Sequence, residues 1–478
     1  MKFTPTPEQQ AIFDHDGDMK VEAVAGSGKT TTLVHYTKTR HPTSKILYLV
    51  FNKSAKVDAL NKFRRADVCN VHVQTAHSLA YNAIMTLPKY HLAQSELTSF
   101  GLIPLLGIQG DNRYVIAKHV KQCMAIYCNS DYQTIPEVRF FEQFEDEMPE
   151  AYGRFIEELC QKWWELMNKA EIEVSHEWYL KRYHLSKPTL KYDYILFDEG
   201  QDASPVMLDI FLSQKCKKII VGDTHQQIYA WRGAVNSLEA VNFKSFPLSN
   251  SFRFGPDIAR VANSIMNIKG EFESSVTGVG EYKNDRILSQ ATISRTNICL
   301  LKEMVKFVEE NPEDHIYYEG NINALLYSED GVSMYDVLAL YRNQKQRIKS
   351  KMIKSFDTFA LLEKYVGQSG DREVGAMVQL VKEYGSSLPD VMDRIREAIC
   401  EDREEAEMAF TTTHKAKGLE YDSILLTDDF GKGDEEKVNM TEEVNILYVA
   451  ITRAKKELLF PDGFTFYKSF YRGEKYEN

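Results

Sequence analysis

Short apolar runs rich in β-branched residues alternate with stretches of helical periodicity in the first 80 residues and again near residues 190–222. Short apolar runs that are bounded by polar segments predict buried strands. The strands predicted here are residues 20–24, 45–51, 71–75, 192–197 and 217–222. Because these strands alternate with helices, the pattern predicts a parallel sheet with helices on its faces.

The pattern changes between residues 81 and 190, where aromatic and acidic residues dominate and residues 151–170 have helical periodicity. We interpret this segment as a helical insertion that splits the first sheet domain. Its Trp163-Trp164 pair is predicted to pack in a core, because large aromatic side chains usually do so.

A second α/β unit begins at about residue 248, with strands predicted at residues 291–295, 315–318 and 423–427. Another helical stretch, residues 342–405, interrupts it, and residues 369–370 and 385–387 mark breaks between its helices. The predicted fold class is therefore α/β, with two parallel-sheet domains that each carry a mainly helical insertion. The first sheet domain comprises residues 1–80 and 191–247, and the second comprises residues 248–341 and 406–478.

Composition restricts the function classes. The 478 residues carry 58 Lys and Arg against 69 Asp and Glu, a net charge of -11. This charge argues against a basic nucleic-acid coat but leaves room for a local basic groove. Seven scattered cysteines favour reduced thiols. Since we find no membrane-length apolar run and no signal sequence, we expect a cytoplasmic or nucleoid-associated protein, or a nuclear one in a eukaryote.

A glycine-rich loop follows the first predicted strand and opens a helix, with the sequence AVAGSGKT at residues 23–30. This is the P-loop pattern, in which Gly26 and Gly28 let backbone N–H groups surround phosphate oxygens at a helix N-terminus. Lys29 neutralises the phosphates, and the Thr30 hydroxyl suits Mg²⁺. ATP and Mg²⁺ are thus the predicted cofactors.

Carboxylates follow the buried strand at residues 194–197, where the chain reads DEGQD. A P-loop enzyme places its second Mg²⁺ ligand after such a strand, and Asp198 fits that position. Glu199, beside it, is placed to orient and deprotonate the attacking water.

Further blocks stand in the order found in the UvrD/Rep group of superfamily 1 DNA helicases, which this sequence resembles over nearly its whole length. The blocks are TPEQ at 6–9, GDTHQQIYAWRGA at 222–234, NSFR at 250–253, SRTN at 294–297, THKAKGLE at 413–420 and YVAITRA at 448–454. The segments YLK at 179–181, LSKP at 185–188 and HQQIY at 225–229 are similar to the helicase part of the F-box DNA helicase family. We expect no F-box in this sequence, so ubiquitin-ligase activity is not carried over.

The resemblance implies two RecA-like domains that bind ATP between them, with arginines of the second domain reaching the γ-phosphate. The catalytic residues it implies are Lys29, Asp198, Glu199, Gln226, Arg253 and Arg453. Gln226 would couple hydrolysis to DNA contacts, and Asp198 with Thr30 would hold Mg²⁺.

The same resemblance implies a wider set of nucleotide contacts, in which Gln9 reads the adenine edge, Phe252 stacks on the base and Glu420 accepts from the ribose. The implied nucleotide-binding residues are Gln9, Ala25, Gly26, Ser27, Gly28, Lys29, Thr30, Thr31, Phe252 and Glu420. Thr31 stands where an Arg is common, which predicts the loss of one contact.

Single-stranded DNA binding needs stacking surfaces and cations without base readout. The predicted DNA-binding residues are Phe51, Asn52, Lys53, Thr75, His77, Tyr229, Trp231, Arg232 and His414. Ala76 replaces an aromatic residue before His77, which weakens one stacking site. For the histidines, a purely structural role is the competing interpretation.

The resemblance implies an ATP-dependent helicase that moves 3′→5′ on single-stranded DNA, in repair, recombination or replication. Its expected partners are single-stranded DNA and DNA junctions or tailed duplexes. The alternative is a DNA-stimulated ATPase subunit of a larger complex, such as a defence or nuclease assembly, that unwinds little by itself. An RNA helicase is a third, weaker interpretation.

Overall fold

The computed structural model describes residues 3–143, 148–229, 233, 235–270, 275–282, 286–328, 330–431 and 439–464. Its strands, in chain order, are β1 (Met19–Ala23), β2 (Ile46–Val50), β3 (Val71–Thr75), β4 (Tyr194–Phe197), β5 (Lys217–Gly222), β6 (Lys244–Leu248), β7 (Asn250–Ser251), β8 (Thr277–Gly278), β9 (Gln290–Ser294), β10 (Ile316–Tyr318), β11 (Met408–Thr412), β12 (Tyr421–Leu426) and β13 (Ala454–Leu459).

The strands form two parallel sheets, as the sequence predicts. The first has six strands in the order β3-β2-β4-β5-β1-β6, and the second has five in the order β10-β11-β9-β12-β13. Every pairing within both sheets is parallel. The carboxyl ends of the strands therefore meet at one edge of each sheet, where ligands of open α/β sheets bind.

Helices cover the sheets and build the insertions. They are α1 (Pro7–Asp14), α2 (Lys29–Lys38), α3 (Lys53–Arg65), α4 (Ala76–Ile84), α5 (Ser99–Leu106), α6 (Arg113–Asn129), α7 (Glu150–Asn168), α8 (His176–Leu185), α9 (Pro205–Leu212), α10 (Ser237–Ala240), α11 (Pro256–Met266), α12 (Asn297–Glu310), α13 (Met334–Tyr341), α14 (Lys351–Lys354), α15 (Phe359–Ser369), α16 (Arg372–Tyr384), α17 (Leu388–Ala398), α18 (Thr413–Ala416) and α19 (Met440–Ile451). The predicted domain limits at 80/81 and 247/248 fall inside α4 and β6.

Alternation along the buried strands explains the layers of the first sheet. In β2, Leu47 and Leu49 join the core shared with the first insertion, whereas Ile46, Tyr48 and Val50 face the core under α1, α2 and α3. Successive side chains of a strand point to opposite faces, so a strand buried on both sides is apolar throughout.

The first insertion has an aromatic core, which confirms the prediction for Trp163 and Trp164. Both are buried in the cluster that also contains Trp178 and one face of the first sheet. In the second insertion, α15 and α16 end at Gly370 and Gly385, which have positive φ values of 62° and 50°. The two predicted breaks are confirmed there, because a glycine tolerates this backbone conformation.

Three strands of the two sheets, β6, β11 and β13, lie outside the predicted set. β6 and β13 are edge strands whose residues are only partly buried, and β6 contains Pro247. A proline is tolerated at an edge but lowers the strand signal. β11 is central, but its apolar run is short and it ends in threonines.

A further hydrophobic core packs residues of the P-loop against the second sheet domain. Val24, Ala25 and Ile228 belong to the cluster formed by α11, α19 and strands of the second sheet. The first domain thus contributes its P-loop and third motif to a joint core. In the described part of the chain, no helix is both long and apolar enough to cross a bilayer, and all seven cysteines are unpaired thiols.

Candidate functional site

The loop between β1 and α2 has the geometry of a phosphate cradle. Gly26 and Gly28 have φ values of 74° and 78°, and a Cβ added at Gly26 would lie 2.5 Å from the Cβ of Arg253. Position 26 therefore needs glycine both for its backbone and for space. The Ser27 hydroxyl is buried and has no hydrogen-bond partner among the described residues. The N-terminus of α2 and this orphaned hydroxyl fit a phosphate ligand.

Lys29, the first residue of α2, lies beside the acidic motif. Its Nζ is 3.2 Å from Oε2 of Glu199. Burial opposes the charge of Lys29, but the carboxylates of Glu199 and Asp223 outweigh it and raise the pKa of Lys29. The lysine is thus a fixed cation at the cradle, where the terminal phosphates of a nucleotide would replace Glu199 as its partner.

Tyr48 holds the carboxylate that follows β4, a contact which the sequence analysis missed. The Tyr48 hydroxyl donates to Oδ2 of Asp198 at 2.5 Å, and Thr30 also hydrogen-bonds to Tyr48. Tyr48 is 0% exposed. The sequence offered one signal for this contact, because Tyr48 is the only residue of strand β2 that has a polar group and the other four are aliphatic. Carboxylate and hydroxyl oxygens are the ligands that Mg²⁺ prefers, so Asp198 and Thr30, gathered around one phenol, fit this ion.

The two acidic residues differ electrostatically. Burial raises the pKa of Asp198, and the charge of Glu199 raises it further. Burial acts on Glu199 in the same direction, but Lys29 and Lys417 outweigh it and lower the pKa of Glu199. The neighbouring cations Lys29 and Lys417 thus stabilise the ionised form of Glu199, the form in which a carboxylate can accept a proton.

Glu199 also has a constrained backbone. Its φ of 55° lies in the left-handed region, which costs a non-glycine residue on the order of 1–3 kcal/mol. Gln201 Nε2 donates to Oε2 of Glu199 at 2.7 Å, and its Oε1 accepts from the Asp223 amide at 3.0 Å. The third motif thereby fixes the orientation of the acidic motif.

Gln226 connects the two domains. Its Nε2 donates to Oδ2 of Asp223 at 2.6 Å, and its Oε1 accepts from Nη2 of Arg453 at 3.3 Å. Lys417 donates to the Gln226 carbonyl at 2.6 Å and pairs with Asp202 at 2.6 Å. The Lys417–Asp202 pair also lies outside the residues that the sequence analysis selected.

Tyr448 of α19 also links the second domain to the P-loop. Its hydroxyl accepts from the Ala25 amide at 3.3 Å and lies 3.3 Å from Oδ2 of Asp223, to which it donates. A rotation of one domain against the other must therefore disturb the cradle itself.

The two predicted arginines occupy different environments. Arg453 is 1% exposed and donates to the Val449 carbonyl at 2.9 Å, and burial together with Arg253 lowers the pKa of Arg453 to about 9. Arg253 pairs with Glu420 at 2.8 Å and donates to the Thr452 carbonyl at 2.9 Å. Arg453 stays charged at neutral pH. Glu420 is exposed, and its Oε1 accepts from both Nε and Nη2 of Arg253.

Phe252 and Gln9, the two side chains predicted to contact the adenine base, differ in their exposure to solvent. Phe252 is 51% exposed, and its amide donates to the Gly26 carbonyl at 2.9 Å, so its ring stands free beside the cradle. Gln9 is buried: its Oε1 accepts from the Thr6 amide, and its Nε2 donates to Oγ1 of Thr32 at 3.0 Å. Gln9 thus closes the cap of α1 and ties it to α2. Thr31 is exposed on α2.

The predicted DNA-binding residues are partly brought together. Phe51 and Tyr229 stack, with ring centroids 6.0 Å apart and 15° between the planes. His414 lies 5.9 Å from the Tyr229 ring, and its backbone carbonyl accepts from the Tyr229 hydroxyl at 3.3 Å. Three motifs of two domains therefore meet at one aromatic cluster.

The remaining DNA candidates lie apart from that cluster or have other contacts. Asn52 and Thr75 are the N-caps of α3 and α4, and Lys53 is exposed at the start of α3. His77 packs edge-on against Tyr179 at 6.1 Å. Trp231 and Arg232 lie outside the described residues.

Two family models match parts of this chain. Residues 117–245 match the UvrD/REP helicase N-terminal domain, and residues 382–461 match the UvrD-like helicase C-terminal domain. The chain thus contains regions that match both the N-terminal and the C-terminal domains of UvrD-like helicases. The two matched domains contain the acidic and third motifs and the fifth and sixth motifs, respectively.

Relatives of this UvrD-like chain include two F-box DNA helicases. It is 31% identical to F-box DNA helicase 1 of Gallus gallus over 95% of this chain and 48% of that protein. It is 30% identical to F-box DNA helicase protein 1 of Schizosaccharomyces pombe over 96% of this chain and 58% of that protein. Gabija protein GajB of Bacillus cereus is 25% identical over 56% of this chain and 63% of its own length. The chain spans about half the length of the F-box relatives.

Proposed function

We infer that this chain is an ATP-dependent DNA helicase that translocates 3′→5′ on single-stranded DNA and acts on tailed duplexes or junctions in repair, recombination or replication. The observation that carries the proposal is the joint site. In it Glu199, paired with Lys29, is linked through Gln201 and Asp223 to Gln226, and Gln226 accepts from Arg453 of the other sheet domain. The helicase domains and the DNA helicase relatives support DNA as the substrate, and the direction is proposed from the motif resemblance.

In the hydrolytic step, each residue has a defined task. Lys29 and the amides of the cradle bind the terminal phosphates of ATP, and Arg253 and Arg453 stabilise the charge that develops on them. Glu199 orients the attacking water and accepts its proton. Asp198 and Thr30 would hold Mg²⁺, which when bound neutralises charge on the phosphate oxygens.

The coupling of hydrolysis to movement follows from Gln226. This side chain bonds to Asp223 and Arg453, and Tyr229, three residues further along, stacks on Phe51 and bonds to His414. A change in what Gln226 contacts is therefore transmitted to an aromatic cluster that contains residues of both domains. Such a cluster suits a translocating strand because base stacking tolerates any sequence.

The first test is steady-state ATP hydrolysis with Mg²⁺, with and without single-stranded DNA. We expect strong stimulation by DNA, and we expect Lys29→Ala to abolish turnover while single-strand binding is retained. Lys38→Ala, an exposed lysine at the end of the same helix, is the matched control and keeps full activity. Full ATPase in Lys29→Ala would contradict the site assignment.

Direction and substrate class need a second experiment. Strand displacement on 3′-tailed and 5′-tailed duplexes is expected to proceed on the 3′-tailed substrate alone, and DNA is expected to outcompete RNA in stimulating ATPase. Preference for the 5′ tail or for RNA would refute that part of the proposal.

The second candidate function is a DNA-stimulated motor subunit of a larger assembly. The net charge of -11 favours it, because an acidic motor gains DNA affinity from a partner. DNA-stimulated ATPase without strand displacement by the purified chain would support this candidate over the first.

A further inference from the structure

Consecutive backbone carbonyls of the third motif are held by side chains of the second sheet domain. The contacts are Lys417 Nζ to the Gln226 carbonyl at 2.6 Å, Asn445 Nδ2 to the Gln227 carbonyl at 2.8 Å, and His414 Nε2 to the Ile228 carbonyl at 3.1 Å. A carbonyl oxygen can only accept, so each of these side chains is the donor. The backbone of residues 226–228 is therefore fixed to the other sheet domain at every residue.

The middle donor, Asn445, differs from the other two in what else it contacts. Lys417 also pairs with Asp202, and the ring of His414 lies in the aromatic cluster with Tyr229. Asn445 is 2% exposed and belongs to α19. A substitution of Asn445 therefore tests the hold on the third motif without removing an ion pair or a ring of the cluster.

Lys269 fixes the orientation of the Asn445 amide. This lysine is the last residue of the short turn Asn267–Lys269 that follows α11, and its ammonium donates to Oδ1 of Asn445. A carboxamide oxygen only accepts and its nitrogen only donates. With the cation at Oδ1, Nδ2 is the atom that faces the Gln227 carbonyl, so the amide has a single orientation.

The same lysine lies in the electrostatic field of the first sheet domain. Burial lowers the pKa of Lys269 to about 8, and the carboxylates of Asp223 and Glu239 act in the opposite direction. Asp223 also accepts from Nε2 of Gln226 at 2.6 Å. The cation that orients Asn445 is thus influenced by the carboxylate that orients Gln226.

Helix α19 contacts the nucleotide site through the same face. Tyr448 follows Asn445 by three residues, and side chains at this spacing are neighbours on a helix. Tyr448 bonds to the P-loop, while Asn445 bonds to the third motif. The chain then leaves this helix towards Arg453, which donates to Gln226. The bond of Asn445 therefore helps to fix the helix that positions Arg453.

We propose that Asn445, oriented by Lys269, is a positioning residue that couples DNA binding to ATP hydrolysis. The Gln227 carbonyl lies in the chain between Gln226 of the nucleotide site and Tyr229 of the aromatic cluster. When Asn445 holds this carbonyl, a displacement of Tyr229 by DNA moves the intervening backbone together with the second domain. Without that bond the backbone shifts by itself and Gln226 no longer follows. The inference rests on the proposed function in one respect, that DNA stimulates the ATPase.

Asn445→Asp isolates the contact with the third motif. The carboxylate keeps an oxygen for Lys269 but has no hydrogen to donate to the Gln227 carbonyl. The matched control is Asn263→Asp. Asn263 lies on α11, donates through Nδ2 to the Val276 carbonyl at 2.9 Å and accepts from the Val276 amide at 2.8 Å. The same replacement of atoms therefore breaks the same kind of bond at a site away from the third motif.

The experiment measures kcat and KM for ATP with and without saturating oligo(dT), and oligo(dT) affinity by fluorescence anisotropy. We expect the ratio of kcat with DNA to kcat without DNA to fall on the order of tenfold in Asn445→Asp, because a buried carbonyl loses its donor. Its oligo(dT) affinity should stay within about twofold of the wild type, since the stacking rings are unchanged. Asn263→Asp should keep the wild-type ratio. Lys269→Met should lower the ratio, and Lys269→Arg, which keeps a cationic donor, should restore most of it.

Thermal unfolding of each variant separates coupling from stability. Asn445→Asp and Asn263→Asp are expected to lower Tm to a similar extent, while only the former loses DNA stimulation. If Asn445→Asp does not fold, Lys269→Met and Lys269→Arg decide the question by the same ratio. A ratio in Asn445→Asp equal to that of the control would overturn the proposal, as would an equal fall of kcat with and without DNA. A wild-type chain whose ATPase does not respond to oligo(dT) would refute the motor and this role together, whereas a stimulated wild type with normal stimulation in the variants would refute this role alone.

Discussion

The Tyr48–Asp198 hydrogen bond leads to a specific prediction about Mg²⁺. Tyr48→Phe removes one oxygen and leaves the rest of the buried ring in place. The lost bond, 2.5 Å long and directed at a carboxylate, is of the charged kind, worth about 1.5–3 kcal/mol. That energy corresponds to roughly 10–100-fold in an equilibrium constant. Groups that orient metal ligands have effects of about this size on metal affinity.

ATPase measured against free Mg²⁺ at fixed ATP reports this loss. We expect the half-saturating Mg²⁺ concentration of Tyr48→Phe to rise on the order of tenfold or more, with a smaller fall in kcat at saturating Mg²⁺. Binding of a fluorescent ATP analogue without Mg²⁺ should be unchanged, because the phenol contacts Asp198 and Thr30 and not the amides of the cradle.

Tyr36→Phe is the matched control. Tyr36 lies on α2, is 0% exposed, and its hydroxyl has no hydrogen-bond partner among the described residues. Removing that hydroxyl should leave the Mg²⁺ dependence as it is in the wild type. If the two phenylalanine variants had the same Mg²⁺ dependence, the role of Tyr48 in holding the ligand set would be refuted.

Three further predictions concern stability and DNA binding. Lys417→Met leaves Asp202, which is 3% exposed, without its cation, and should lower the free energy of unfolding by about 3–5 kcal/mol in urea titrations; an unchanged midpoint would contradict this. Burial lowers the pKa of His225 to about 4 in the folded protein, below its unfolded value of 6.5. Neutral His225 therefore adds about 3 kcal/mol to the free energy of unfolding above pH 6.5, and this contribution is lost as the pH falls towards 4. His225→Gln should flatten that part of the stability–pH curve, and a curve that keeps its slope would refute the assignment. Phe51→Ala removes the partner of Tyr229 and should weaken oligo(dT) binding by about 1–3 kcal/mol in anisotropy titrations, whereas wild-type affinity would exclude this stacking site.

The elements that could be predicted from sequence are those with local signals. The P-loop, its strand and its helix occupy consecutive residues, and Asp198 directly follows a buried strand. The β2 and β4 strands are apolar throughout because helices cover both faces of their sheet. Edge strands such as β13 have weaker signals because water replaces one neighbour, and their side chains need not be apolar.

Local sequence patterns do not predict contacts between residues that are far apart in the chain. Tyr48 is 150 residues from Asp198, Lys417 is 215 residues from Asp202, and Tyr448 is 423 residues from Ala25. Gln9 has the residue type of an adenine reader, yet its amide is engaged with Thr6 and Thr32. Which partner a side chain meets depends on packing over the whole chain, and periodicity carries no information about it.

The sequence by itself determined the two parallel-sheet domains, the cradle residues, the acidic motif and the order of the motor blocks, because each is a run of neighbouring residues whose chemistry is visible in place. The tertiary structure alone decided that Tyr48 holds Asp198, that Gln226 joins the domains, and that Tyr448 contacts the P-loop. The physical reason is that burial and long-range contacts set the charge, orientation and accessibility of a side chain, and these arise only when distant segments pack together.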